Sequence, residues 1–136
     1  MPGADVFFDT SVLLYLLSTE DKKADRVEAL LETSGNVSVQ VLNEFTAVSK
    51  GKLAMSFADI REILATVRAV CRTHPLTVGT HDRAIEVAER YGFSVYDSVI
   101  VASALLADCK ILYAEDLQHL QSIDRQLTII NPFLPT

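Results

Sequence analysis

The feature that most constrains this chain is an alternation of periods. Short apolar runs at residues 4–8, 37–39, 76–78, 110–114 and 127–130 punctuate longer stretches with helical spacing. After the first run, Ser11 is placed to cap a nearly all-apolar helix over 12–17, and a second helix over 21–33 carries Ala24, Val27, Leu30 and Leu31. The next helix has Val41, Glu44, Phe45 and Val48 on one face and stops near Gly51. Ser56 and Asp59 form a capping box before a stripe of Ile60, Ile63, Leu64, Val67, Val70 and Cys71. Thr80 is placed to cap a helix with Ala84, Val87, Ala88 and Tyr91 on one face, closed by Gly92. A very apolar helix follows over about 96–108. Continuous apolar strands alternating with helices predict an α/β fold: a mainly parallel, about five-stranded sheet covered on both faces. At 136 residues the chain is expected to be a single domain.

Composition narrows the function. Twelve basic and 18 acidic residues give a net charge of −6. That balance argues against coating DNA or binding a membrane surface, which need a basic excess. It leaves room for a nucleic-acid enzyme whose carboxylates hold divalent cations, because the cations do not enter the formal sum. No apolar run approaches the roughly 18 residues that span a bilayer, so no membrane partner is expected. Cys71 and Cys109 have no zinc spacing and read as buried, reduced thiols. With no basic segment ahead of an apolar run at residues 1–5, the expected location is cytoplasmic.

Four acids stand out, each in a different element. Asp9 ends the first strand, Glu44 shares an apolar helix face, Asp97 heads the most apolar helix, and Asp116 follows the fourth strand. Each alone has a bland reading as a cap, a turn residue or a charge reaching past its stripe. Jointly they do not. A carboxylate on a buried stripe costs several kcal/mol unless compensated. No basic residue lies between Tyr91 and Cys109, and the nearest to Asp9 is Lys22. A hard divalent cation such as Mg²⁺ or Mn²⁺ is the fitting compensator.

These segments resemble the PIN domain, a metal-dependent nuclease fold. Phe8-Asp9-Thr10-Ser11-Val12-Leu13 is similar to its opening Asp-Thr-Asn/Ser signature, and Val41-Leu42-Asn43-Glu44-Phe45 to its helical Glu motif. Tyr96-Asp97-Ser98-Val99-Ile100-Val101-Ala102-Ser103-Ala104 resembles its Asp-x-x-Ile-x-x-Ala segment, the most specific match. Tyr113-Ala114-Glu115-Asp116-Leu117 resembles its fourth-acid loop, although Ala114 and Gln118 stand where many members have Ser or Thr and a further Asp. The spacings of 35, 53 and 19 residues suit a compact PIN domain with nothing appended. Within the family that size looks most like the VapC-type toxins of toxin–antitoxin modules.

The resemblance implies a three-layer α/β/α sandwich and a Mg²⁺- or Mn²⁺-dependent endoribonuclease. Asp9, Glu44 and Asp97 are implied as ligands of a first cation. Asp116 either completes that site or orients the attacking water. RNA is the implied substrate, with products carrying 5′-phosphate and 3′-hydroxyl ends. A homodimer and a small antitoxin partner are implied as well. Leu13, Leu14, Leu16 and Leu17 exceed what one buried face of a short helix needs, which suits an interface.

Thr10 and Ser11 could orient Asp9 or a water, or Ser11 could only cap. Arg61, Arg68 and Arg72 read as a solvated helix face in preference to a phosphate grip, as do Lys50 and Lys52. His74, His81 and His119 lack metal-site spacing and read as surface residues. Three rivals stand beside the toxin reading: a PIN nuclease of ordinary RNA processing, a non-catalytic PIN binding module, and a phosphoacceptor domain. The last is disfavoured because Val78-Gly79-Thr80 has no acid and Lys110 precedes its strand.

Overall fold

Phe7 and Phe8 project to opposite faces of the first strand, β1 (Val6–Phe8), and both are fully buried. The sheet is therefore covered on two sides. In this computed structural model, which describes residues 4–135, β1 leads into α1 (Thr10–Leu13), a 3-10 turn at Leu14–Leu17 and α2 (Asp21–Leu31). There follow β2 (Gly35–Ser38), α3 (Val39–Gly51), α4 (Phe57–Val70), β3 (Cys71–His74), α5 (Val78–Tyr91) and α6 (Val95–Leu106). The chain ends through β4 (Ile111–Tyr113), β5 (Ser122–Ile123) and β6 (Leu127–Ile130).

The strand order is β3-β2-β1-β4-β6-β5. Five strands run parallel, as expected, and the two-residue β5 adds an antiparallel edge against β6. The chain steps outward from β1 to β2 and β3, then returns to β4 on the other side of β1. The direction of winding thus reverses between β1 and β4. In open parallel sheets the working crevice lies beyond the carboxyl ends of the strands at that reversal. Here that edge carries Asp9 after β1 and Glu115–Asp116 after β4, held level by the register Phe8 to Tyr113.

Several local expectations are corrected. The third strand is residues 71–74, not 76–78. Leu76 and Val78 are 39% and 77% exposed. Cys71 therefore opens a strand and does not close a helical stripe. β3 is an edge strand, so it needs no continuous apolar run; Cys71 is buried, Arg72 exposed, and Pro75 follows the strand. Arg72 consequently does not continue the helix face of Arg61 and Arg68. The cap of α5 is Thr77, whose hydroxyl accepts from Thr80 N while Thr80 Oγ1 accepts from Thr77 N, a reciprocal box. The cap of α1 is Asp9, not Ser11. Gly92, at φ 74°, closes α5 in the left-handed region.

The side chains of Phe7, Phe8, Phe45, Leu112, Leu127 and Ile129 are fully buried around the sheet. Both cysteines are buried, and burial pushes their thiols up to about 11 for Cys71 and about 12 for Cys109, so neither is a nucleophile at neutral pH. No helix among the described residues is long and apolar enough to cross a membrane.

Candidate active site

Asp9 is 6% exposed. Its backbone continues the β1–β4 ladder, donating from N to Tyr113 O at 2.9 Å. Its side chain turns over the start of α1, where Oδ2 accepts from Ser11 N at 3.3 Å and Ser11 Oγ at 2.5 Å. The Ser11 hydroxyl also accepts from Glu115 N at 3.2 Å, so one serine joins the ends of β1 and β4. Oδ1 of Asp9 has no hydrogen bond among the described residues. Burial pushes the Asp9 carboxyl up to about 6 against the pull of Ser11, and the charges of Asp97 and Glu44 raise it further.

That mutual repulsion locates two partners. Glu44 comes from α3, whose start is capped by the fully buried Ser38 at the end of β2. It sits half-buried at the margin of a stripe made by Val41, Phe45 and Ser49. Its Oε1 accepts from Thr10 Oγ1 at 3.1 Å and its Oε2 from Gln40 Nε2 at 2.8 Å. Asp97 comes from the first turn of α6, where Ser94 caps the helix by accepting from Asp97 N. A carboxylate is favoured there by the helix dipole. Thr10 and Ser11 therefore orient two of the acids, one each. Gln40, four residues before Glu44, was not singled out from the sequence, although the i, i+4 spacing was there to read.

Asp9, Glu44 and Asp97 are brought together. Asp116 stands apart, exposed on the loop after β4. It lines a neighbouring groove of about 390 Å³ with Ser11, Leu14, Tyr15, Leu17, Leu53 and Glu115. Among the described residues, none of the four acids makes an ion pair. Glu115, beside Asp116, has a different role. Burial works to raise its carboxyl, but hydrogen bonds from Tyr15 at 2.6 Å and Lys23 at 2.9 Å outweigh it and hold the group below its ordinary value. Lys23 also lies over the rings of Tyr15 and Phe133. This cluster pins the loop that carries Asp116 and was invisible in sequence, since its members are 92 and 100 residues apart.

The donor set suits a hard divalent cation. It is all carboxylate and hydroxyl oxygen, one buried carboxylate has an oxygen to spare, and no basic side chain answers the charge. Among the described residues no three acid, histidine or cysteine side chains are drawn into a ready-made cage. The histidines lie elsewhere and are not all surface residues. His74 Nε2 bonds Asn36 Oδ1 at 2.8 Å, His119 Nδ1 accepts from Asn131 N at 3.0 Å, and His81 is exposed.

A family model for the PIN domain matches residues 6–125. This chain belongs to the PIN domain family. Among curated proteins no sequence matches. Solved structures do. A PIN domain of this shape is similar to a toxin–antitoxin complex from Klebsiella pneumoniae, with TM-score 0.71 and 16% identity over 94% of this chain and 98% of that one. It is similar to VapC20 from Mycobacterium tuberculosis, a sarcin–ricin loop cleaving toxin, with TM-score 0.66 and 20% identity over 82% and 89%. It is also similar to VapBC2 from Rickettsia felis bound to promoter DNA, with TM-score 0.66 and 17% identity over 91% and 96%. At these identities the likeness is one of fold. It extends over nearly the full length of those chains.

Proposed function

We propose that this PIN domain is a divalent-cation-dependent endoribonuclease and the toxin of a toxin–antitoxin module. The observation that carries the reading is the convergence of Asp9, Glu44 and Asp97 beyond the carboxyl ends of the strands, with no basic partner among the described residues. Asp9 Oδ1, Asp97 and Glu44 would hold Mg²⁺ or Mn²⁺. A cation bound there neutralises charge on a phosphodiester and lowers the pKa of a water for attack on phosphorus. Ser11 fixes the rotamer of Asp9, and Thr10 and Gln40 fix that of Glu44, so the carboxylates are oriented before substrate arrives. Asp116, exposed and without an ion pair among the described residues, would orient the attacking water from the β4 side.

The fold likeness to toxin–antitoxin complexes supports a small antitoxin as partner. The groove beside the site, lined by Leu14, Leu17, Leu53 and Asp116, suits an apolar helix that presents a basic side chain to the acids. A homodimer fits the half-buried Leu16, which the core does not fully absorb, whereas Leu13 of the same segment is fully buried.

The test is incubation of total cellular RNA with the purified protein in Mg²⁺ or Mn²⁺, with chelator, and with Asp97→Asn. New discrete 5′-phosphate ends should appear only with metal and intact Asp97, at a rate at least a hundredfold above the variant. Ends bearing 2′,3′-cyclic phosphate, or cutting that persists in chelator, would contradict the reading. The protein should run as a dimer by light scattering.

A further inference from the structure

The carboxylates occupy one wall of a larger cleft. Next to Glu44 and Asp97 lies an open cavity of about 430 Å³, also lined by Gln40, Asn43, Ala47 and Tyr96. That volume lies in the range of small-ligand sites. Tyr96 is 66% exposed on the helix whose next turns, Ser98 and Ile100 to Leu105, are buried. Its ring packs on no other ring, and its hydroxyl has no hydrogen-bond partner, among the described residues. Asn43 is exposed, and its amide is likewise unengaged among those residues, whereas the Gln40 amide is spent on Glu44. Ala47, four residues on from Asn43 along α3, is a small side chain in the same lining.

A flat apolar ring and a free amide beside a phosphodiester-cleaving site match the two ways proteins hold an unpaired nucleobase. The ring supplies a stacking surface, and the amide supplies a donor and an acceptor for a base edge. The charge balance points the same way. At a net charge of −6 the protein cannot gather RNA with a basic coat. Contacts that do not depend on charge then add to the grip of the proposed cation, and stacking is one. We propose that Tyr96 and Asn43 form a subsite for one unpaired base flanking the scissile phosphate, Tyr96 by stacking and Asn43 by contact with the base edge. The subsite rests on the nuclease reading of the same cleft.

The experiment uses a synthetic oligoribonucleotide spanning a cut mapped in total RNA, and versions abasic at either nucleotide flanking that cut. Tyr96→Ala should raise KM about tenfold with kcat within about twofold, and Tyr96→Phe should restore KM. For the wild type, one abasic substrate should cost at least that factor, since it loses the Asn43 contact as well, and combining it with Tyr96→Ala should cost nothing further. Asn43→Ala should broaden the base preference at the cut. Mn²⁺ affinity should be unchanged in both variants, which separates a lost base contact from a collapsed metal site. Ile85→Ala, an exposed apolar residue on α5, is the control and should change neither constant. Unchanged KM in Tyr96→Ala, or additive losses with the abasic substrate, overturns the subsite. A variant that cuts normally but loses its dimer would make Tyr96 a protein contact and also overturns it. No metal-dependent cutting by the wild type would bring down the nuclease reading, and the subsite with it.

Discussion

Ionising Asp9 in the folded, metal-free protein costs free energy, because burial and two neighbouring carboxylates oppose the charge. Its carboxyl titrates at about 6 in the fold and near 3.8 when unfolded. Between those values the folded protein holds a proton that the unfolded chain has released. The group's stabilising contribution is therefore complete below about pH 4 and is lost as pH rises through about 6, a change of about 3 kcal/mol. Asp9→Asn should remove that loss. In chelator, the stability gained by the variant over wild type should grow by about that amount between pH 4 and pH 7.5, measured by urea unfolding. A constant difference across the range would contradict the burial and the clustering. This residue was legible in sequence as an acid after an apolar strand with no basic neighbour. Its split use, one oxygen capping α1 and the other free, was not, because cap geometry depends on where the helix starts.

At the scale of elements, β2 illustrates what a parallel sheet demands of a glycine. A Cβ on Gly35 would stand 2.5 Å from Phe8 Cε2 and 3.4 Å from Val6 O. The Phe8 ring is fully buried and has no room to swing aside. Gly35→Ala should cost about 1–3 kcal/mol, seen as a fall of several degrees in Tm. Phe8→Leu in the Gly35→Ala background should recover part of it, and strict additivity of the two changes would refute the clash. The elements differ in how legible they are in sequence. Buried β1, β4 and β6 show as apolar runs, and the helices show by their stripes. The edge strand β3 is hidden in sequence because Cys71 and Thr73 alternate with Arg72 and His74, a pattern too short to separate from the end of α4. The apolar Leu76 and Val78 give the stronger strand signal, yet both lie at the surface. The cap of α5 moved for a related reason: Thr77 and Thr80 serve one box, and sequence does not say which of the two opens it.

Across the whole molecule, the winding of the sheet brings the segments after β1, β2 and β4 to one edge. β1, β2 and β4 are neighbours, so the residues just past them share a crevice whatever their separation in the chain. The acids could be picked out in sequence only jointly, because each alone reads as a cap, a turn residue or a charge reaching past its stripe. Tyr96, Asn43, Gln40 and the Lys23–Glu115–Tyr15 cluster carry no such joint signal, and only the fold gives them a place. The same arrangement makes the cation central. Asp97 and Glu44 oppose the charge of Asp9, none of the three makes an ion pair among the described residues, and the proposed divalent ion would relieve that conflict. Calorimetric titration of Mn²⁺ into the metal-free protein at pH 7.5 tests this most directly, with Asp9→Asn, Glu44→Gln, Asp97→Asn and Asp116→Asn measured in parallel. The account predicts saturable binding to the wild type, weakened at least tenfold in the Asp9 and Asp97 variants and less in the Asp116 variant. Binding of equal strength in the wild type and in both Asp9→Asn and Asp97→Asn, or no binding at all, would contradict it.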